Sequence, residues 1–290
     1  MRSRERLSGS DANHTPGPLE PPSFGGYLRH LRTTDAAGFP AGAPARPRPR
    51  MSRDDLAAAA GVSTGYVIKL EQRLGNPSAD IVDRLADALH CSPVERQHLH
   101  DLATAQLPGA ATARAGYRPP EITDVMKQMV DNLVPQLAGY VDDAWNVLYA
   151  NSEYARIFRG ITRVGNVLAW FFGVPESRAI MVEWETEARL TVAWLRGLMA
   201  RRPAEPMFEQ VLEALAGYPD FRAMWERQEL LMGRHTQHMR VRDLDRGTEF
   251  VLLAQVHKAP DPTVPVQMYL GTRSPDPGAA DASGAERSRP

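Results

Sequence analysis

The chain has 290 residues, 43% hydrophobic and 24% charged, with a formal net charge of -1; single domains usually run to about 100–200 residues, so two cores are expected. The near-neutral balance excludes a polycation that grips nucleic acid by charge alone, and any such binding must come from a shaped surface with a few placed basic residues. No run of about 18 apolar residues offers a membrane span, the N-terminus lacks the apolar stretch of a secretory signal, and the single cysteine, Cys91, excludes an intrachain disulfide or a cysteine-rich zinc site. A cytoplasmic protein is expected, with Cys91 as a small buried hydrophobe.

In chain order, residues 1–22 are rich in Pro, Gly, Ser and charge with almost no aliphatic side chains, and are expected to be a disordered tail. Phe24, Tyr27, Leu28 and Leu31 then fall at i, i+3, i+4 and i+7, the stripe of a helix capped by Ser23. Residues 36–50 interrupt, with Pro40, Pro44, Pro47 and Pro49 among Arg46, Arg48 and Arg50: an extended basic loop, either a solvated linker or an arm that tracks a phosphate backbone. Ser52 and Asp55 form a capping box for a second helix that stops at Gly61. Ser63 caps a third, ended by Gly75, Asn76 and Pro77. A fourth, from Ala79 to Leu89, turns Ile81, Leu85, Ala88 and Leu89 inward, and a fifth begins at the Ser92, Pro93, Glu95 capping box.

Two helices meeting at Gly61 cross closely when the first offers small residues, as Ala57 and Ala60 do, with Val62, Val67 and Leu70 wedged between them. The other face of the second helix then projects outward. It carries Ser63, Thr64, Gly65, Tyr66, Lys69 and Arg73, with short polar groups at the N-terminal end and cations further along, suited to base edges and phosphates of double-stranded DNA. Arg53, opening the preceding helix, is placed to meet a phosphate. Leu56, Ala57, Gly61, Val62, Ser63, Leu70 and Glu71 resemble the XRE, or lambda-repressor-like, helix-turn-helix family, and the resemblance covers all five helices from Ser23 to Ala103. It implies a DNA-binding domain at 23–106; the 36–50 loop exceeds the family's usual connection. Each half-site would contribute few contacts, so a homodimer on an inverted repeat is expected.

Residues 107–122, with Pro108, Gly109, Gly116, Pro119 and Pro120, read as a linker, 123–273 as a second domain and 274–290 as a disordered tail. Leu137 to Ala144 and Trp145 to Asn151 form a hairpin around Asp142 and Asp143. Ser177 to Met199 reads as one helix with Met181, Trp184, Ala188, Val192, Leu195 and Leu198 inward, carrying Arg178, Arg189 and Arg196. Phe208 to Leu215 and Phe221 to Leu231 follow with the same period. Alternating runs from His235 to Val241, Phe250 to His257 and Val264 to Leu270 close the domain. Two strands early and three late is the order of a PAS-like sheet with helices on one side. The fold class is therefore an all-α five-helix domain followed by an α+β PAS-like domain.

The runs Val141 to Asn151, Val182 to Glu185 and Pro219 to Trp225, with Arg178, Leu195 and Arg196, look like the ligand-binding domain of MmyB-like regulators over about Met126 to Gly271. The resemblance implies a PAS-type cavity that senses a small apolar or fatty-acid-like molecule. Two departures stand out: Gln228-Glu229-Leu230 where the family has His-Asp-Val, and His238-Met239 where it has His-Pro. Core packing accounts for any one of the large side chains here. Together they exceed what one small core needs, and Trp145, Tyr149, Phe158, Trp170, Phe171, Met181, Trp184 and Trp225 are the candidate pocket residues. Of the three helix arginines, one could pair a ligand carboxylate, with a solvated face as the plainer account.

No phosphate loop, metal-spaced His or Cys pair, or Gly-x-Ser-x-Gly elbow occurs. Glu183, Glu185 and Glu187 spread around a helix as a solvated surface. No enzyme, cofactor or metal is expected, and the alternative to a sensor is a C-terminal module that docks a protein or dimerises without a ligand.

Overall fold

The computed structural model describes residues 17–34, 50–105, 119–202, 206–231, 238–258 and 266–274. The Pro/Arg loop up to residue 49, most of the linker, residues 1–16 and the C-terminal tail beyond Ser274 lie outside the described residues.

The N-terminal domain consists of α1 (Phe24–Thr33), α2 (Arg53–Ala60), α3 (Thr64–Glu71), α4 (Ala79–Ala88) and α5 (Pro93–Ala105). Ser23, Ser52, Ser63 and Ser78 each accept a backbone N–H two or three residues into the helix they precede, the local interaction that starts a helix. Ser52 and Asp55 close the expected capping box, and Gly61 ends α2 in the left-handed region at φ 64. Phe24, Tyr27, Leu28 and Leu31 are all buried, together with Leu56, Val67, Leu70, Leu85 and Leu99. On α4 Leu85 and Leu89 are buried as expected, but the rest of the inward face is Val82 and Ala86, with Ile81 and Ala88 only half-buried. Cys91 is half-buried against the same core.

The C-terminal domain begins with α6 (Asp124–Asp131), β1 (Leu137–Val141) and β2 (Val147–Ala150). Short helices α7 (Ser152–Ile157), α8 (Ile161–Val164), α9 (Val167–Gly173) and α10 (Glu176–Ile180) lead to α11 (Trp184–Arg201), α12 (Pro206–Leu215) and α13 (Pro219–Glu226). It closes with β3 (His238–Asp243), β4 (Thr248–Lys258) and β5 (Gln267–Ser274). The strands form one antiparallel sheet in the order β2-β1-β5-β4-β3, with Leu137 opposite Gly271 and Ala254 opposite the same glycine on the other side.

Three expectations are corrected. The single helix from Ser177 to Met199 is two helices: the Val182 N–H donates to the Arg240 carbonyl at 3.1 Å and Met181 bridges to Val241, so the edge strand β3 draws the chain out of helical geometry between α10 and α11. Helices cover both faces of the sheet, because α6 packs Val130 with Ala138, Tyr140 and Val266 on the side away from the main core. The end of the expected N-terminal tail is seated on the second domain: the Gly17 carbonyl accepts from Arg222, the Glu20 carbonyl from Trp225, and Leu19 packs on that core.

The domains share a packed seam. Ala200 of α11 and Leu230 belong to the same buried cluster as the side chains of α1, α4 and α5.

Candidate functional site

The outer face of α3 is positioned by a network that periodicity does not reveal. The Glu71 side chain is fully buried and accepts from Arg32 at 2.8 Å and from Arg53 at 2.8 Å, with Arg29 at 3.7 Å. Burial pushes its carboxyl upward, but hydrogen bonds from Arg32 and Arg53 outweigh that and hold it below the ordinary value. Arg53, expected on a phosphate, therefore ties α2 to the end of α3, with a side chain still 43% exposed. Gly25 lets α1 lie directly on α3, since a Cβ there would stand 2.3 Å from the Leu70 carbonyl oxygen. Arg84 donates to the Ala60 and Gly61 carbonyls at 3.3 Å and closes the turn before α3.

On that scaffold Ser63 is the cap, accepting from the Tyr66 N–H at 3.2 Å. The Thr64 hydroxyl donates to Asp54 at 2.6 Å, so it braces α2 against α3. Gly65 is exposed, with nothing within 4 Å of a would-be Cβ, and the backbone there is open to close approach. Tyr66 is half-buried against the core and Lys69 is exposed. Arg73 follows the helix at φ 62 and pairs with Glu20 of the N-terminal segment.

In the C-terminal domain a cavity of about 800 Å³ lies between α11 and the sheet. Its walls include Trp145, Phe158, Trp170, Phe171 and Met181, all expected, together with Tyr154, Leu190, Trp194, Leu198, Leu231 and Tyr269. Trp145 is held there by local chemistry. The Asp142 carboxylate accepts from the Ala144 N–H at 2.8 Å, the Asn146 N–H at 2.9 Å and the Asn146 side chain at 2.8 Å. The turn so fixed places Trp145 at φ 63, with its ring edge-on to Trp194 at 4.9 Å. At one side of the cavity the walls are polar: Asp143 accepts from both Arg202 and Gln267, near Arg201 and Lys258.

Tyr149, Trp184 and Trp225 are not among the cavity walls. Tyr149 faces α6 across the sheet and donates to Asp131 at 2.9 Å. The Trp184 indole donates to the Phe171 carbonyl at 3.1 Å and lies 3.6 Å beneath the Arg178 guanidinium. Trp225 donates to Glu20 and carries Arg196 over its ring at 4.0 Å. The helix arginines are likewise engaged elsewhere: Arg178 with Asp220, Arg189 with Glu229, and Arg196 with the Trp225 carbonyl. Leu190, Trp194 and Leu198 recur at i, i+4 and i+8, a second apolar stripe on α11 that periodicity could have flagged.

Residues 122–283 match the family model described as MmyB-like transcription regulator ligand binding domain, and residues 23–99 match one described as helix-turn-helix domain. Among curated proteins the chain has no match.

Proposed function

The chain belongs to the MmyB-like transcription regulators, and on that premise we propose that it is a homodimeric, sequence-specific regulator whose DNA affinity answers to a small apolar or fatty-acid-like molecule held in the C-terminal cavity. The transcription-regulator assignment follows from a helix-turn-helix DNA-binding domain joined to a ligand-binding domain. The observation that carries the finer reading is the aromatic-walled cavity of about 800 Å³ inside the matched ligand-binding domain, a size and lining that suit a small-molecule site.

In this reading α3 enters the major groove with Gly65 and Lys69 foremost, Ser63 and Thr64 at the N-terminal end beside the phosphates, and Tyr66 alongside. Arg53 and Arg73 reach the phosphate backbone by exchanging their present partners, Glu71 and Glu20. Two such helices on an inverted repeat supply the specificity that one lacks. A ligand regulates only if it binds the DNA-competent and DNA-incompetent arrangements with different affinity.

A second reading, a docking module without ligand, draws on the exposure of Val125 (78%) and Met129 (51%) on α6. The deciding experiment titrates the full chain against DNA from upstream of its own gene and against scrambled DNA at two salt concentrations, with and without sodium dodecanoate. A salt-resistant preference for the upstream DNA that dodecanoate alters is the expected result. Equal binding to both sequences argues against the specific regulator, and a preference indifferent to a bound amphiphile turns the reading toward docking.

A further inference from the structure

Helix α11 is the partition between the cavity and the DNA-binding domain. Leu190, Trp194, Leu198 and Arg201 of this helix line the cavity. With a residue every 100°, Arg196 falls about 155° and Ala200 about 115° from the middle of that stripe, turned away from the cavity. Ala200 is 2% exposed within the core cluster of the DNA-binding domain, and Arg196 is 4% exposed. Facing them from α5 is His98, 0% exposed, with neither ring nitrogen hydrogen-bonded among the described residues and its ring edge-on to Tyr27 of α1 at 4.7 Å. Helices α5 and α11 pack against each other at this seam.

The two long walls of the cavity differ in what holds them. Ala254, Val256 and Tyr269 belong to β4 and β5, which are fixed along their length by ladder hydrogen bonds. Helix α11 has no such ladder to the sheet: it is held by packing and by side chains, Arg189 on Glu229, Arg196 on the Trp225 carbonyl and Arg202 on Asp143, contacts that allow shifts of about 1–2 Å between helices. Its far side meets a buried seam in which His98 has no hydrogen bond among the described residues, and close packing there passes a displacement on instead of absorbing it.

We propose that α11 is the coupling element of this regulator: filling the cavity displaces α11, and the displacement is delivered to α5, and so to the DNA-binding domain of the same chain, through the Arg196, Ala200 and His98 seam. The proposal rests on the cavity being the ligand site, and adds the route by which its occupancy is felt.

The test fills the cavity from the sheet wall, leaving α11 and α5 unaltered. Hydrogen exchange is measured on the full chain as wild type, as Ala254→Phe, and as Val256→Trp, whose side chain lies at a 41% exposed position on the cavity wall and so burdens folding less. Leu270→Phe, on the α6 face of the sheet, is the control for general loosening. The expected result is a change of about fivefold or more in the exchange of α5 amides, the low end of ordinary coupling between sites, in the cavity variants and not in the control. Altered exchange in α11 with α5 unchanged overturns the proposal, as does an equal response to Leu270→Phe. Sodium dodecanoate is titrated in parallel by tryptophan fluorescence. Its failure to bind counts against the proposed ligand class alone, while the variants still decide the route.

Discussion

The two domains use their interiors differently. The N-terminal core is filled with aliphatic side chains and two aromatics around one buried carboxylate, Glu71, which receives arginines from α1 and α2. The C-terminal interior mixes aliphatic side chains with many more aromatic rings, several meeting edge to face, such as Phe158 on Trp170 and Tyr154 on Tyr269, and it leaves a cavity among them. A domain that must present one helix face at a fixed angle benefits from a closed core locked by ion pairs. A domain that must admit a molecule keeps contacts on only one side of its wall residues and spends rigidity elsewhere, in the sheet and in the Asp142 turn.

The largest expected effect falls on the closed core. Glu71→Ala strands the Arg32 guanidinium, 10% exposed, without its carboxylate, and removing one partner of a buried pair costs about 3–5 kcal/mol. Urea denaturation followed by circular dichroism checks this, and a loss under about 1 kcal/mol would show that water or Met51 already satisfies the arginine. Next comes the direct contrast between interiors. Leu85→Ala in the filled core should cost about 2–5 kcal/mol, whereas Leu190→Ala in the cavity wall should cost about 1 kcal/mol, because it enlarges an existing space. Equal losses would mean that the cavity closes up in solution.

For the exposed face, Lys69→Ala should weaken operator binding by about 1–3 kcal/mol if its ammonium reads a base, and all DNA alike if it meets phosphate; gel-shift titration on specific and scrambled DNA separates the two. The last prediction concerns the seam joining the domains. Burial, followed by the charges of Arg196 and Arg201, lowers the His98 pKa from 6.5 to about 3. The histidine is therefore neutral in the native fold, so its contribution to stability is full above pH 6.5 and is lost as pH falls toward 3. About 2 kcal/mol should be gone by pH 5. In His98→Leu, which cannot charge, that part of the acid sensitivity should vanish from thermal melts at pH 7 and pH 5; an unchanged pH dependence would place the sensitivity in other groups.

The helix starts were legible because capping is local. Ser23, Ser52, Ser63 and Ser92 each act on amides within three residues, and the structure has those bonds. Gly61 was legible for the same reason. The role of Gly25 was not, since the carbonyl it makes room for belongs to Leu70, on another helix. Among the cavity candidates, Trp145 follows from the hairpin turn around Asp142, while Trp184 and Trp225 were misplaced because composition marks large side chains without saying on which side of a helix the open space lies. Tyr149 was misplaced by one sheet face, a choice that depends on where α6 packs.

The sequence by itself determined the order of the five N-terminal helices, the caps of four of them, the two-early and three-late strands and the outward phase of α3, because each rests on interactions within a few residues or on one period. Tertiary structure alone decided that Arg53 is bound to Glu71, that α10 and α11 part at the edge of β3, and that α11 stands between the cavity and α5. Each of those depends on partners distant in the chain, whose meeting is set by packing that no local pattern encodes.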